Sequence, residues 1–167
     1  YQQGANPGGD AINVAWTKTE IDYAIAQAQQ YGAADELVIG NESLWGPNST
    51  AAIIELMTYA KAQRDAAGFS QSTMPVTTCQ EWGVLAGVNN LLPSYAAMQA
   101  ALLNLMEACE GFVYANMYAY FDPKITARVN PKTTKTTFTR AVTNSMSGTI
   151  AALRTAFSAQ GLSTAIR

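Results

Sequence analysis

The chain has 167 residues, of which 49% are hydrophobic and 13% charged, and its formal net charge is −2. This composition excludes a disordered chain and predicts one globular domain over residues 1–167. The basic residues are scattered, which predicts no nucleic-acid-binding surface. No apolar run approaches the ~20 residues of a membrane span. Histidine is absent, which excludes Ser-His-Asp triads and imidazole metal sites, so we expect neither metal nor cofactor and assign acid–base chemistry to carboxylates.

The first two predicted elements are a helix and a strand. The helix runs from Thr17 to Tyr31, because apolar residues recur there every three or four positions. Thr17 and Glu20 form a capping-box pattern at its start, and Gly32 is its stop signal. The run Glu36–Gly40 is too short for a helix and rich in branched residues, which predicts a strand buried on both faces.

Helices and strands then alternate along the rest of the chain. The same criteria predict a helix opening at Asn48–Thr50 and closing before Gly68, strands at Met74–Thr78 and Gly111–Tyr118, and helices at about Ser94–Ala108 and Ala141–Gln160. The polar stretch Asn130–Thr137 is predicted to be a surface loop, and Ser163–Arg167 the approach to another strand. Asn48 also opens an N-glycosylation sequon, which we expect on a surface loop.

The predicted strands recur at a regular interval. Their centres lie near Val38, Val76 and Val113, so the spacings are 76 − 38 = 38 and 113 − 76 = 37 residues, each with one helix between. Strands joined in this way lie parallel in a sheet that helices cover, so the fold class is α/β with parallel βα repeats. A doubly wound fold and the eight-stranded barrel both meet this description.

Each predicted strand is followed by a carboxylate, namely Glu42, Glu81 and Asp122, at the edge where parallel βα folds hold their sites. Aromatic residues accompany them: Trp45, Trp82, Tyr118, Tyr120 and Phe121. Paired carboxylates beside flat aromatic rings are what glycoside hydrolysis requires, because one acid protonates the leaving oxygen while a second attacks the sugar or activates water. Alternatively, each acid caps the helix that follows it.

Three segments carry a resemblance to a known family. Residues 37–43 read LVIGNES, residues 77–82 read TTCQEW, and residues 116–121 read NMYAYF. In order and spacing they resemble family 17 of the glycoside hydrolases, the β-1,3-glucanases and glucanosyltransferases, which have VGNE after the fourth barrel strand and NxYPYF after the sixth. Ala119 stands where the family usually has Pro.

The resemblance implies a TIM (β/α)8 barrel and a retaining hydrolase acting on β-1,3-glucan. Glu42 matches the general acid/base, and Asn41 the residue that hydrogen-bonds the 2-hydroxyl of the sugar. The positions that match the substrate-binding wall of the cleft are Glu81, Trp82, Asn116, Tyr118, Tyr120 and Phe121. A β-glucan partner and a secreted or cell-wall location follow from this resemblance.

The same resemblance implies that the chain is the central portion of the barrel, from about the third helix to the start of the seventh strand. The family nucleophile is a Glu after that seventh strand, so we expect it beyond the 167 residues and expect no turnover by this chain alone. A non-catalytic β-glucan-binding or cell-wall protein is one alternative. An open α/β domain with an unrelated small-molecule site is another. Cys79 and Cys109 are interpreted as buried apolar residues.

Overall fold

The computed structural model describes residues 12–32, 35–44, 47–86, 95–118 and 134–167. In these ranges the elements follow in the order α1 Val14–Tyr31, β1 Leu37–Asn41, α2 Pro47–Ala66, β2 Val76–Glu81, α3 Trp82–Leu85, α4 Tyr95–Ala108, β3 Phe112–Asn116, α5 Lys135–Ala159 and β4 Ala165–Ile166. Two helices, the short α3 and then α4, stand between β2 and β3. The α/β class is therefore confirmed. None of the helices described combines the length and the apolar character needed to cross a membrane.

The four strands form a parallel sheet in which each strand lies beside the next one along the chain. The order β1-β2-β3-β4 shows no reversal among the strands described. A doubly wound sheet has such a reversal, and its ligands bind there. The strand order therefore favours a sheet that winds in one direction, with the carboxyl ends of all four strands at one edge.

The hydrophobic core lies between the sheet and its helices. Helix α2 packs between α1 and α4 and contacts β1 and β2. Leu37 and Ile39 of β1 join this core, whereas Val38 points to the opposite face and is 41% exposed. The prediction that β1 is buried on both faces is therefore wrong, because the helices described cover only one face of that strand.

Helices α1 and α5 begin several residues earlier than the sequence predicts. Asn13, not Thr17, caps α1, because its side-chain oxygen accepts the backbone N–H of Trp16 at 3.0 Å. Thr134 caps α5 in the same way through Thr137 N–H at 3.2 Å, so residues 135–137 are helical rather than loop. Gly32 ends α1 with φ 64°, as predicted.

The other elements match their predicted bounds to differing degrees. Helix α4 and the approach to β4 are confirmed, whereas β2 starts and ends later than predicted and β3 is shorter. The sequon lies in the first turn of α2, not in a loop: Asn48 is exposed, but Thr50 is fully buried.

A buried ion pair lies at the amino edge of the sheet, beside the start of β2. Arg64 of α2 is 3% exposed, pairs with Glu110, and donates to the Met74 carbonyl at 3.1 Å and to Asp65 at 2.9 Å. Glu110 also accepts the N–H of Val76 at 2.6 Å. Burial acts to lower the pKa of Arg64, but its hydrogen bonds to Glu110 and Asp65 outweigh burial and raise the pKa overall.

Candidate active site

The end of β1 is shaped by an irregular backbone. The register with β2 shifts between Val38 and Asn41, as in a β-bulge, and Gly40 adopts φ 76°. A Cβ atom at Gly40 would lie 2.5 Å from Cδ1 of Ile53. The positive φ favours glycine at this position, and a Cβ there would also displace the end of the Ile53 side chain. The strand ends one residue later, at Asn41, so that Glu42 lies just beyond it.

Glu42 has φ 51° and is the only non-glycine residue with a positive φ in the described ranges. Such a backbone costs about 1–3 kcal/mol and persists only where neighbouring groups enforce it. Here the N–H of Glu42 donates to the Cys79 carbonyl at 2.9 Å, and the N–H of Ser43 donates to Oε1 of Gln80 at 2.9 Å. The backbone on both sides of the Glu42 carbonyl is thus held by β2.

Gln80 is a supporting residue that sequence reasoning missed. Its side chain is fully buried, accepts from Ser43 and donates to the hydroxyl of Thr78 at 2.7 Å. A long polar side chain inside a strand that is otherwise mostly buried is the signal that could have identified it, because such an amide needs specific partners.

The side chain of Glu42 is half-buried and lies among residues from β1 and β3. Nδ2 of Asn116 donates to Oε1 of Glu42 at 3.0 Å and to Oδ1 of Asn41 at 2.9 Å, and it lies 3.4 Å from the Tyr118 hydroxyl. The structure therefore brings together four of the predicted site residues, Asn41, Glu42, Asn116 and Tyr118. We call these four residues the Glu42 cluster.

Electrostatics within the Glu42 cluster favour protonated neighbours. A hydrogen bond to Glu42 raises the pKa of the Tyr118 phenol above its ordinary value, with smaller contributions from burial and from the charge of Glu42. Tyr118 is 44% exposed. It therefore presents a neutral hydroxyl and an accessible ring beside the carboxylate at physiological pH.

Cys79 belongs to the same edge of the sheet. Its Sγ is 3.1 Å from Oδ1 of Asn116, to which the thiol donates, and its side chain is half-buried. Burial, followed by the charge of Glu42, raises the pKa of the Cys79 thiol. Its interpretation as a buried apolar residue is therefore wrong, whereas Cys109 is buried as predicted.

Glu81 ends β2 and caps helix α3, which begins at Trp82. The two carboxylate oxygens of Glu81 accept the N–H groups of Gly83 at 2.9 Å and Val84 at 3.0 Å. The alternative that this acid caps the following helix is thus confirmed. Trp82 is half-buried and packs against the hydrophobic core.

The remaining predicted site residues, Tyr120 and Phe121, lie outside the described residues, as do Trp45 and Asp122. Within the described ranges, no group of three or more Cys, Asp and Glu side chains is placed to hold a metal ion. What the Glu42 cluster offers chemically is a carboxylate that can exchange a proton with a bound molecule, surrounded by amide and hydroxyl groups.

Comparisons with protein-family models, curated proteins and solved structures found no match to this chain. The chemistry of the Glu42 cluster therefore rests on its geometry and on the sequence motifs that form it.

Proposed function

We propose that the chain carries the acid/base half of a retaining glycoside hydrolase site that acts on β-1,3-glucan, with Glu42 as the general acid/base. The observation that carries this proposal is the backbone of Glu42. A glutamate in a left-handed conformation, at the carboxyl end of a parallel strand, costs stability that a glycine would not cost. A functional carboxylate explains why a glutamate stands there.

In the proposed reaction, Glu42 donates its proton to the glycosidic oxygen as the bond to the sugar breaks, while a second carboxylate attacks the anomeric carbon. Glu42 then removes a proton from the water that releases the sugar. Asn41 is exposed and next to Glu42, so its amide can reach a sugar hydroxyl. The ring of Tyr118 can receive the apolar face of a sugar.

The fold proposed for this enzyme is the TIM (β/α)8 barrel, of which the four strands are consecutive members. The strand order without reversal and the covering of β1 by helices on one face support it. A retaining enzyme needs a second carboxylate about 5–5.5 Å from the first. Both Glu81 oxygens bind backbone N–H groups as a helix cap. The nucleophile that we propose is the Glu that the resemblance places after the seventh strand. The location that we propose, secreted or in the cell wall, follows from the same family resemblance.

The test is Glu42→Gln in the full-length protein, assayed on two substrates. On a laminarin-type glucan, whose leaving group needs protonation, turnover should fall about 10²–10⁴-fold. On an aryl β-glucoside with an acidic phenol as leaving group, formation of the glycosyl-enzyme should change little, because that phenol leaves without a proton. Glu55→Gln, which removes an exposed carboxylate on α2, is the matched control and should leave both activities intact.

Equal activity of Glu42→Gln and the native protein on laminarin would contradict the acid/base role. Binding of laminari-oligosaccharides by the native full-length protein without any hydrolysis would instead favour the non-catalytic glucan-binding alternative.

A further inference from the structure

The two ends of the Asn116 amide face different partners. A primary amide accepts at its oxygen and donates at its nitrogen. In Asn116 the oxygen faces the Cys79 thiol at 3.1 Å, and the nitrogen faces Glu42 at 3.0 Å and Asn41 at 2.9 Å. The same nitrogen lies 3.4 Å from the Tyr118 hydroxyl. Turning the amide over would place its oxygen against the acceptor oxygens of Glu42 and Asn41 and remove the hydrogen bonds donated to them.

The carboxylate of Glu42 selects the observed orientation only while it is ionised. A protonated carboxyl group can donate to an amide oxygen as well as accept from an amide nitrogen, so it fits either orientation of Asn116. Asn41 is itself an amide and can turn together with Asn116. A general acid is protonated at the moment it acts, so a further group is needed to hold the amide at that step.

The thiol of Cys79 can hold the Asn116 amide at that step. The S–H group is a weak donor and its sulfur a weak acceptor, and in the structure this thiol donates to the amide oxygen of Asn116 at 3.1 Å, which favours the observed orientation. Burial and the nearby Glu42 raise the pKa of this thiol, which therefore keeps its hydrogen at neutral pH. The main-chain carbonyl of Cys79 also accepts the N–H of Glu42. Side-chain substitutions leave that second bond in place and so test the thiol alone.

We propose that Cys79 is a positioning residue, whose thiol fixes the amide of Asn116 in the orientation that directs its N–H₂ group at Glu42. This inference rests on the proposed acid/base role of Glu42. It adds to that role a side chain that touches neither the reacting atoms nor the carboxylate and acts through Asn116.

The experiment compares Cys79→Ala with Cys79→Ser in the full-length protein. Both variants lose the volume of sulfur, but only serine keeps a hydrogen-bond donor, so their difference isolates the donor from packing. Cys79→Ala should lower kcat on laminarin about fivefold with little change in KM, the effect of one lost hydrogen bond, and Cys79→Ser should stay within about twofold of native. Neither should slow formation of the glycosyl-enzyme from the activated aryl glucoside.

Equal losses in Cys79→Ala and Cys79→Ser, or equal losses on both substrates, would overturn the proposal in favour of a packing role for the thiol. If Glu42→Gln is inactive on laminarin while Cys79→Ala equals native, only this inference fails. If Glu42→Gln is fully active, the proposed function itself fails.

A measurement without turnover gives an independent decision. The side-chain amide of Asn116 should give one pair of ¹H–¹⁵N signals in the native protein and in Cys79→Ser. In Cys79→Ala at about pH 3, where carboxyl groups ordinarily carry their protons, those signals should broaden or double as the amide turns over. Identical Asn116 signals in Cys79→Ala and native protein under these conditions would overturn the proposal.

Discussion

A carboxylate is held by hydrogen bonds at each edge of the sheet, but the two carboxylates differ in burial and partners. At the amino edge, Arg64 and Glu110 are buried together and connect α2 to β2, whose first residue is Val76. At the carboxyl edge, Glu42 and Asn116 are half-buried, and their partner Tyr118 is exposed. The buried pair is a structural contact whose loss would leave a buried charge. The carboxylate of Glu42, half-buried and on a strained backbone, is accessible to a bound molecule, as the proposed function requires.

The largest expected effect concerns the amino edge. Arg64→Ala leaves Glu110 buried without its cation, so the free energy of unfolding should fall by about 3–5 kcal/mol. Urea denaturation followed by circular dichroism measures this loss. Lys18→Ala removes an ion pair between partly exposed side chains and should cost at most about 1 kcal/mol. Similar losses in the free energy of unfolding for the two variants would show that the buried ion pair contributes no more to stability than an exposed one.

Gly40 should give the next largest effect, at the carboxyl edge. Gly40→Ala should destabilise the fold by about 2–3 kcal/mol, because φ is 76° and the new Cβ would meet Ile53. Gly148→Ala in α5, where a Cβ would meet nothing, should stabilise the fold by about 0.5–1 kcal/mol. A Gly40→Ala protein as stable as native would refute the account of the irregular backbone that precedes Glu42.

A smaller effect should come from the strained backbone itself. Glu42→Gly and Glu42→Ala both remove the carboxylate, but only glycine relieves the positive φ. Glu42→Gly should therefore unfold at higher urea than Glu42→Ala, by about 1 kcal/mol of stability. If the alanine variant were equally stable, Glu42 would carry no conformational cost and the main observation behind its role would be lost.

The smallest expected change is a titration. The hydrogen bond to Glu42 raises the pKa of Tyr118, so Glu42→Gln should lower that pKa toward its ordinary value, as ¹³C NMR of the phenol carbon would record. Because the native pKa is raised, the bond stabilises the fold fully below the unfolded-state pKa and is lost as pH rises through the folded one. Tyr114, whose pKa is raised by a hydrogen bond to Glu36, should titrate unchanged in this variant.

The regular spacing of helices and strands made the parallel α/β class predictable from sequence. The meeting of Asn41, Glu42 and Asn116 was also predictable, because the carboxyl ends of all parallel strands lie at one edge of the sheet, although β2 separates β1 from β3. The roles of Cys79 and Gln80 were not, since their partners lie 37 residues away in the chain and depend on register. The cap of α1 shows the limit of local patterns: the capping-box pattern indicated Thr17, and only the hydrogen bond from the Trp16 N–H identifies Asn13, four residues earlier.

The exposure of Val38 was beyond sequence reasoning for another reason. A short branched run reads the same whether one or both faces of its strand are covered. Only the arrangement of the helices distinguishes the two cases, and here it leaves that side chain 41% exposed.

The most direct test of the central claim is a structure of the full-length Glu42→Gln protein with a laminari-oligosaccharide bound across the Glu42 cluster. The account predicts that the side chain at position 42 lies within about 2.6–3.2 Å of a glycosidic oxygen, the reach of a general acid. It also predicts a sugar ring against Tyr118. An oligosaccharide bound elsewhere, or one whose bridging oxygens all lie beyond hydrogen-bonding distance of that side chain, would contradict it.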